Sequence, residues 1–304
     1  MNVLVTGGAG FIGSHIVDRL VRKHHVKVYD DFSTGKYRNR FSTIIEGDIL
    51  DKVELRKACK DIDVIIHLAS KTSVVESCED PQSYYEVGSV GTFNVLQAAL
   101  DNKCKRVVYA SSSSCYGDKD YAVKETDRLD PLSPYAMSKI MGEGHLNYFN
   151  RYYGLSTVVL RYFNVFGPRQ QTEGGYPAVI PAFIKKVLKN EPLTVFGTGK
   201  QKRDFVYVAE IAKMNELALD KVQDGTYNVA SGKSITILEL IKEISKVYNW
   251  QVDYNFAPAR EGEVFESSAI IDKACGQGFH YKGDFKSHLK EVFKDLSTGN
   301  HNEE

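Results

Sequence analysis

The sequence predicts an α/β fold in which a doubly wound parallel sheet is joined to a smaller C-terminal lobe. In the first half of the chain, short apolar segments rich in β-branched residues alternate with segments whose apolar residues recur at helical spacing. Strands that alternate with helices form parallel sheets that are covered on both faces. After Arg161 this alternation loosens and loops rich in glycine and proline appear, at Gly167-Pro168 and at 174–177, which indicates the smaller lobe.

The predicted elements follow in order from the N-terminus. Asn2–Thr6 is a buried strand, and the segment after it places apolar residues on one face of a helix from Phe11 to Arg22. The further strands expected in the sheet are Val26–Tyr29, Thr43–Ile45, Val64–Leu68, Arg106–Ala110 and Thr157–Arg161. The helices expected between them are Lys52–Cys59, Pro81–Asn102 and Pro134–Tyr153. In the smaller lobe we expect a helix at Val179–Lys189 and a strand at Leu193–Phe196.

Charge and composition exclude several classes of protein. The 304 residues carry 39 basic and 39 acidic side chains, so a nucleic-acid partner held by phosphate contacts is not expected. No apolar stretch is long enough for a membrane span, and a strand and a glycine turn fill the first ten residues, so we expect neither a membrane nor a signal peptide. The five cysteines show no metal-ligand spacing and no disulfide framework, which favours a cytoplasmic protein without a metal site.

A glycine-rich turn follows the first predicted strand, in Thr6–Gly13. Gly8, Gly10 and Gly13 match G-x-G-x-x-G, and Gly7, Gly10 and Gly13 match G-x-x-G-x-x-G. Glycine at these positions permits a tight turn and lets a pyrophosphate approach the backbone at a helix N-terminus. Because the motif lies between a strand and a helix and an acidic pair follows it, it predicts a dinucleotide site. The alternative is an ordinary strand-to-helix turn.

The acidic pair Asp30-Asp31 comes at the end of the second predicted strand. A carboxylate at this point binds the adenosine ribose hydroxyls and repels a 2′-phosphate, which favours NAD over NADP. Lys36 lies nearby and can weaken that preference. For Asp31 an alternative interpretation, as a solvated turn residue, is equally good.

Tyr135 and Lys139 lie four residues apart on a predicted helix and therefore share one face. A nearby ammonium favours the phenolate and lowers the pKa of a tyrosine, which makes the side chain usable as a base near neutral pH. The serine cluster Ser111–Ser114 ends a predicted strand, where open α/β sheets bind ligands. Together with the glycine turn, these residues predict a hydride-transfer enzyme with a nicotinamide cofactor. His67, which ends an apolar strand, is interpreted as structural.

These motifs resemble those of one family, the extended short-chain dehydrogenase/reductases, and within it the NAD-dependent nucleotide-sugar epimerases of the UDP-glucose 4-epimerase type. The resemblance runs from Met1 to about Ala274. It rests on TGGAGFIGSH (6–15), DDFSTGK (30–36), GDI (47–49), HLAS (67–70), GTFNVLQAA (91–99), SSSSCYG (111–117), SPYAMSK (133–139), RYFNVFGPRQ (161–170), FGTGKQKRDFVYV (196–208) and PAREGE (258–263). It implies an NAD-binding Rossmann domain and a nucleotide-sugar-binding lobe. The implied bounds are 1–164 with 205–230 returning for the domain, and 165–204 with 231–304 for the lobe.

The resemblance implies a role for each matching position. Tyr135 is implied as the catalytic base, Lys139 as the group that lowers its pKa and holds the nicotinamide ribose, and Ser112 as the partner of the sugar 4-hydroxyl. The other positions implied to bind the cofactor are Gly7, Gly10, Phe11, Ile12, Gly13, Asp30, Asp31, Ser33, Thr34, Gly35, Asp48, Ile49, Leu68 and Ala69. The positions implied to bind the substrate are Ser113, Asn164, Gln170, Val179, Arg203, Arg260 and Ser267.

The implied reaction is the 4-epimerisation of a UDP-hexose through a 4-keto intermediate, without net redox change, so that NAD stays bound. Asn164, Arg203 and Arg260 are implied to hold the UDP diphosphate and ribose, and two arginines can neutralise a diphosphate by bidentate contacts. Family dehydratases and decarboxylases carry acidic residues in the serine segment, where this chain has serines at 112–114. The alternatives left open are an epimerase of another nucleotide sugar, a nucleotide-sugar reductase and a non-catalytic NAD or nucleotide-sugar-binding regulator.

The resemblance leaves the sugar open. Ser267 stands where a bulky tyrosine excludes N-acetylated sugars, so room remains for UDP-GlcNAc and UDP-GalNAc as well as UDP-glucose and UDP-galactose. Ser113, Asn164 and Gln170 match the pattern of members that act on N-acetylhexosamines. Lys71 stands where many members have Gln or Leu, which makes a UDP-uronic acid an alternative substrate.

The family resemblance also bears on partners. It implies a UDP-sugar substrate and a homodimer, in which helices near 81–102 and 134–153 form the intersubunit bundle. Neither a nucleic acid nor a membrane is expected as a partner, for the reasons of charge and hydropathy given above.

Overall fold

Seven parallel strands form the central sheet of the computed structural model, which describes residues 1–172, 178–259 and 264–298. These strands are β1 (Asn2–Thr6), β2 (His25–Asp30), β3 (Thr43–Glu46), β4 (Val64–His67), β5 (Arg106–Ser112), β6 (Ser156–Tyr162) and β11 (Gly225–Val229). Their order is β11-β6-β5-β4-β1-β2-β3, so the direction of winding reverses between β1 and β4. The predicted fold class is confirmed. At such a reversal, the crevice at the carboxyl ends of the strands is where ligands bind.

Helices cover both faces of the sheet. They are α1 (Phe11–Leu20), α2 (Lys52–Ala58), α3 (Val74–Glu79), α4 (Pro81–Tyr85), α5 (Thr92–Asp101), α6 (Pro134–Tyr153) and α8 (Val208–Ala218). One core lies between the sheet and the α1–α8 pair, and a second lies under α2, α5 and α6. Along β1, Val3 and Val5 belong to the first core and Leu4 to the second. Burial on both faces explains why the strand is apolar without alternation.

The helix predicted after the fourth strand is interrupted. A π-helical segment, Glu86–Gly91, separates α4 from α5. A Cβ atom at Gly88 would lie 2.6 Å from Oγ of Ser138, and one at Gly91 would lie 2.4 Å from Cδ1 of Ile49. The two glycines therefore let this segment pack directly against α6 and against the chain after β3. Apolar periodicity did not reveal the interruption, because a single π-helical turn disturbs the helical pattern only locally.

The smaller lobe surrounds a third core. Its strands are β7 (Val165–Phe166), β8 (Leu193–Phe196), β9 (Lys202–Asp204), β10 (Val206–Tyr207), β12 (Ser234–Thr236), β13 (Tyr254–Ala257) and β14 (Glu266–Ser267). The remaining helices are α7 (Val179–Leu188), α9 (Ile237–Tyr248), α10 (Asp272–Cys275) and α11 (Phe285–Thr298). β7 pairs with β10, β8 with β13, and β9 lies between β12 and β14. The third core includes Ile184, Leu240 and Leu289 from α7, α9 and α11.

Membrane spans, metal clusters and disulfides are absent from the described part of the chain. None of its helices is both long and apolar enough to cross a bilayer. Over residues 1–172, 178–259 and 264–298, no three His, Cys, Asp or Glu side chains come together as a group that would hold a metal ion. All five cysteines are free thiols.

Candidate active site

The glycine turn joins β1 to α1 and brings the helix N-terminus close to the neighbouring strand. Gly7 has a φ of +69°, and a Cβ atom there would lie 2.6 Å from the amide nitrogen of Ala69, which follows β4. A Cβ atom at Gly13 would lie 2.1 Å from the carbonyl oxygen of Gly7. At Gly10 a Cβ atom would meet only that same oxygen, at 3.4 Å, so the space in front of the helix is open.

The segment after β2 folds over this turn. Asp30 is buried and accepts hydrogen bonds from the amides of Ala9 (2.8 Å) and Phe32 (2.9 Å). Burial raises the pKa of this carboxyl, and the two amide bonds oppose that rise. A Cβ atom at Gly35 would lie 2.5 Å from the backbone of Ala9, so glycine is what lets the segment approach the turn.

Asp31, Ser33 and Thr34 lie on the outer side of the same segment. Asp31 is exposed, and its Oδ1 accepts from the amide (3.0 Å) and the hydroxyl (2.7 Å) of Ser33. The carbonyl oxygen of Thr34 accepts from Nε2 of Gln171, at 2.8 Å. The contacts of Asp31 are those of a turn residue, which matches the alternative interpretation of this aspartate.

The other predicted cofactor positions lie along the carboxyl edge of the sheet or at the start of α1. Asp48 follows β3, and its carbonyl oxygen accepts from the hydroxyl of Tyr29 at 2.9 Å. Ile49 is buried against Gly91, and its carbonyl oxygen accepts from Nδ2 of Asn94 at 3.1 Å. The positions that follow β4 or begin α1 are Leu68, Ala69, Phe11 and Ile12.

These residues fit a dinucleotide. The turn is so tight that a Cβ atom at Gly7 or Gly13 would collide with backbone, while the space beside Gly10 is open to a ligand. The N-terminus of α1 has no side-chain cap and no acidic residue in its first turn. Uncapped amides at a helix N-terminus form a ready site for a phosphate group.

Ser112, Tyr135 and Lys139 lie together at the carboxyl end of β5. Nζ of Lys139 donates to the carbonyl oxygen of Ala110 at 2.9 Å and lies 5.9 Å from the centre of the Tyr135 ring. The Ser112 side chain lies close enough to the Tyr135 phenol to lower its pKa. Oγ of Ser114 donates in turn to Oγ of Ser112 at 2.9 Å. A phenol, an ammonium and a hydroxyl are thus assembled beside the crevice of the sheet.

Burial changes the acid–base properties of both helix residues. It raises the pKa of Tyr135 to about 12, and the Ser112 side chain opposes this rise. It lowers the pKa of Lys139 to about 8. We expected Lys139 to lower the pKa of Tyr135, and the net change in the structure has the opposite sign. The reason is that removing water from around the phenol penalises the phenolate more than its neighbours favour it.

His67 is held by hydrogen bonds at both ring nitrogens. Nδ1 lies 2.7 Å from Oγ1 of Thr6, and Nε2 lies 3.0 Å from Oγ1 of Thr92. Thr92 donates its own proton to the carbonyl oxygen of Gly88, so it accepts from His67, and the proton of the imidazole is assigned to Nε2. Burial lowers the pKa of the ring to about 3, which keeps it neutral. These contacts support the structural interpretation.

Three of the predicted substrate residues meet beyond the end of β6. Nδ2 of Asn164 donates to Oγ of Ser267 and to the carbonyl oxygen of Asp204, both at 3.1 Å. Ser267 on β14 lies opposite Arg203 on β9. Ser112 pairs with Tyr162 at the carboxyl ends of β5 and β6, and Asn164 follows Tyr162 by two residues, so this group lies beyond the same edge of the sheet as Ser112.

A cavity of about 290 Å³ lies beside Arg203. Val179 lines it from α7, and the β8 residues Thr194 and Phe196 line it from the opposite wall. Lys186 adds a second positive charge. The cavity therefore combines apolar walls with cationic side chains, and it is lined by two of the positions predicted to bind the substrate, Val179 and Arg203.

The remaining predicted positions are held by local contacts or lie outside the described residues. Ser113 begins a single 3₁₀ turn, Ser113–Tyr116. Gln170 donates from Nε2 to the carbonyl oxygen of Val165 at 3.1 Å. Lys71 donates to Oγ of Ser83 at 2.7 Å and lies 3.7 Å from a carboxylate oxygen of Asp80, so its ammonium is tied to the start of α4. Arg260 lies outside the described residues.

Two neighbours of Ser112, Tyr135 and Lys139 were not predicted. The ring of Tyr84 packs edge-on against Tyr135, with centres 6.4 Å apart. Glu143 lies one turn after Lys139 on α6 and forms an ion pair with Arg161 of β6, at 2.6 Å. The helical spacing of Glu143 from Lys139 is visible in the sequence, but its pairing with a strand residue is not.

Comparisons with known proteins agree with this geometry. A model of the NAD dependent epimerase/dehydratase family matches residues 3–230. A putative UDP-glucose 4-epimerase of Methanocaldococcus jannaschii is 37% identical over 304 residues, covering 98% of this chain and 99% of that protein. A solved UDP-N-acetylglucosamine 4-epimerase from Methanobrevibacter ruminantium, in complex with UDP-N-acetylmuramic acid, has a TM-score of 0.94 at 40% identity and covers 98% of each chain. The UDP-glucose 4-epimerase of Thermus thermophilus, in complex with NAD, has a TM-score of 0.91 at 34% identity, covering 98% of this chain and 99% of that chain.

Proposed function

The chain belongs to the NAD dependent epimerase/dehydratase family, and we propose that it catalyses the 4-epimerisation of a UDP-hexose through a 4-keto intermediate. The observation that carries this proposal is the assembly of Ser112, Tyr135 and Lys139 at the carboxyl end of β5, beside a glycine turn that fits NAD. The solved relatives described above are 4-epimerases, one with a UDP-sugar and one with NAD, which supports the same reaction.

Each side chain of this assembly has a distinct role in the proposed reaction. Tyr135 takes the proton of the sugar 4-hydroxyl, and Ser112 hydrogen-bonds the same oxygen. Lys139 stabilises the phenolate, which needs such help because burial raises the pKa of Tyr135 to about 12. NAD, when bound, supplies the acceptor and donor of a hydride.

We assign the parts of NAD to the residues around the crevice. The pyrophosphate is held at the glycine turn, and the adenosine ribose at Asp30, whose two oxygens each retain a lone pair beyond the amide bonds they accept. Asp48 and Ile49 border the adenine, and Lys139 holds the nicotinamide ribose. These assignments follow from the position of each residue along the carboxyl edge of the sheet.

The UDP moiety is assigned to the smaller lobe. Arg203 borders the 290 Å³ cavity and supplies positive charge for the diphosphate. Val179 and Phe196 form apolar walls of the size and kind that receive a uracil ring. We place Asn164 between this cavity and Ser112, since it follows β6, whose end pairs with Ser112, and donates to the carbonyl oxygen of Asp204, the neighbour of Arg203.

The residues of the serine segment disfavour elimination and decarboxylation of the sugar. Both reactions need an acid or base beside the sugar, and Ser113 and Ser114 hold the positions where family members carry one. Glu143 is a carboxylate that contacts this segment. Its oxygens are occupied by Ser111 and Arg161, so it is not free for proton transfer.

The direct test is to incubate purified protein with a panel of UDP-sugars, without added NAD, and to separate the products by chromatography. The panel contains UDP-glucose, UDP-galactose, UDP-GlcNAc, UDP-GalNAc and UDP-glucuronic acid. We expect 4-epimers to interconvert without net formation of NADH. Conversion that requires stoichiometric NADH or NADPH would identify a reductase. Bound NAD with no conversion of any sugar would favour the binding regulator.

The choice of cofactor gives a second test. Replacing Asp30 by Ala should shift the ratio of NADP to NAD affinity at least about tenfold towards NADP, because the carboxylate that repels a 2′-phosphate is removed. The ratio is measured by titrating cofactor-free protein with each nucleotide. The matched control is Asp31→Ala, since Asp31 is exposed and bonded only to its own turn, and it should keep the preference of the unmodified protein. Equal affinity of the unmodified protein for both nucleotides would contradict the role of Asp30.

The sugar pocket gives a third test. We propose that N-acetylhexosamines are accepted together with unsubstituted hexoses, because Ser267 is short and its hydroxyl lies 3.1 Å from the amide of Asn164. Ser267→Tyr should lower kcat/KM for UDP-GlcNAc much more than for UDP-glucose, whereas Ser267→Ala should leave the ratio of the two values near that of the unmodified protein. An unchanged ratio in Ser267→Tyr would mean that this side chain does not line the pocket.

We place a UDP-uronic acid second among the candidate substrates. The ammonium of Lys71, which could bind its carboxylate, is already engaged by Ser83 and Asp80.

We further propose a cytoplasmic homodimer. Large apolar side chains lie exposed along α5 and α6, among them Phe93 (39%), Met141 (37%) and Tyr148 (46%). Phe93 and Tyr148 both pack against the ring of Phe149, and an exposed apolar surface of this kind is typical of an interface between copies of a chain. Light scattering of the purified protein should give twice the mass of the chain, and Tyr148→Glu should shift it towards the monomer.

A further inference from the structure

A buried ion pair lies directly beneath the serine segment. Nε and Nη2 of Arg161 donate to the two carboxylate oxygens of Glu143, at 2.8 and 2.6 Å. The side chains are 5% and 11% exposed. Such a two-bond contact fixes both the distance and the orientation of its partners. It therefore locks α6, which carries Glu143, to β6, which carries Arg161.

The same ion pair holds both ends of the serine segment. At the start, Oγ of Ser111 donates to Oε1 of Glu143 at 2.6 Å. At the end, Nη1 of Arg161 donates to the hydroxyl of Tyr116 at 2.8 Å, and Tyr116 donates to Oδ1 of Asn228 at 2.7 Å. Ser112 lies between Ser111 and Tyr116, so both residues that flank the proposed catalytic serine are hydrogen-bonded to the ion pair.

Glu143 also belongs to the helix that carries the other two catalytic residues. It lies four residues after Lys139 and eight after Tyr135 on α6. The ion pair thus connects the element that places Ser112 with the element that places Tyr135. We propose that Glu143 and Arg161 are positioning residues, which set the place of the Ser112 hydroxyl relative to the Tyr135 phenol; this inference rests on the proposed epimerase function.

A purely stabilising role for the pair is the competing explanation. Two charges lose their hydration on burial, so replacing a buried ion pair by apolar side chains of similar volume is often neutral or stabilising. A positioning role and a stabilising role therefore predict different outcomes for such a replacement. If the pair serves only stability, the apolar version loses nothing in the reaction; if it positions Ser112, the apolar version folds but reacts slowly.

The experiment compares two double variants of the full chain. The first combines Glu143→Leu with Arg161→Met. The matched control combines Glu216→Leu with Arg19→Met, which removes an Arg–Glu pair of 2.5 Å between α8 and α1. We expect similar Tm values and UDP-sugar KM values in both, and a fall in kcat of about 10–100-fold in the first only, as for a displacement of reacting groups by about 1 Å. A kcat equal to that of the control would overturn the proposal.

Hydrogen exchange supplies a readout that does not depend on activity. Amides 113–117 should exchange faster in the Glu143→Leu, Arg161→Met variant, while the amides of β1 and β4 keep their protection. If the unmodified protein converts no UDP-sugar, the proposed function fails. Unchanged protection of 113–117 would separately overturn the positioning role.

If the double variant does not fold, the single substitution Ser111→Ala tests the positioning role instead. It removes only the anchor to Glu143 and should lower kcat about 2–10-fold at constant KM, and an unchanged kcat would overturn the proposal.

Discussion

Tyr135→Phe is expected to lower kcat by about 10²–10⁴-fold, the range typical of a lost general base. The phenol oxygen is the group that titrates beside Ser112, and phenylalanine keeps the ring but removes this oxygen. The edge-on contact with the ring of Tyr84 does not involve the oxygen, so the local packing is preserved. NAD content and UDP affinity should therefore stay close to those of the unmodified protein. The measurements are kcat with the best UDP-sugar, absorbance of released nucleotide, and UDP binding by calorimetry.

Tyr84→Phe is the matched control for this substitution. Tyr84 lies beside Tyr135, and its hydroxyl accepts a backbone hydrogen bond from the amide of Ser73 at 3.1 Å. Removing it should change kcat by no more than a few-fold, since one net hydrogen bond contributes about 0.5–1.5 kcal/mol to stability and none to proton transfer. Turnover by Tyr135→Phe close to that of Tyr84→Phe, with NAD retained, would reject Tyr135 as the base.

Gly13→Ala is expected to abolish retention of NAD and to lower Tm. The new Cβ atom would lie 2.1 Å from the carbonyl oxygen of Gly7 and 2.7 Å from Cα of Gly8. Both contacts are with backbone, which cannot rotate out of the way as a side chain can. The turn must therefore open, and the helix N-terminus moves away from the place where the pyrophosphate is proposed to bind. The measurements are nucleotide released per protein chain and the midpoint of thermal unfolding.

Gly276→Ala is the control for the chemical change itself. Gly276 is exposed and follows α10 with helical backbone angles, and the nearest atoms to a Cβ atom there are the carbonyl oxygens of Lys273 (3.5 Å) and Asp272 (3.6 Å), which is ordinary contact. This variant should therefore keep NAD and change little in stability. If Gly13→Ala retained NAD as fully as Gly276→Ala, the close packing of the turn would not be needed for cofactor binding.

Local sequence patterns were sufficient to predict six of the seven strands of the sheet and the glycine turn, but not the edge strand Gly225–Val229. A strand buried on both faces is a continuous apolar run, as in Asn2–Thr6, and this run can be recognised without knowing its neighbours. The turn needs glycine where a side chain would strike backbone, at Gly7 and Gly13, so the requirement is visible as residue type. Likewise, the four-residue spacing of Tyr135 and Lys139 follows from helix geometry alone.

Other features depend on atoms that are remote along the chain. The rise in the pKa of Tyr135 results from burial. How deeply a phenol is buried depends on residues outside its own segment, so the local sequence does not predict it. The contact of Asn164 with Ser267 joins residues 103 positions apart, and that of Glu143 with Arg161 crosses from a helix to a strand. Short-range patterns record backbone geometry and which face is buried. Desolvation and side-chain pairing are instead set by whichever distant groups come to occupy the same space, so they became visible only once the chain was folded.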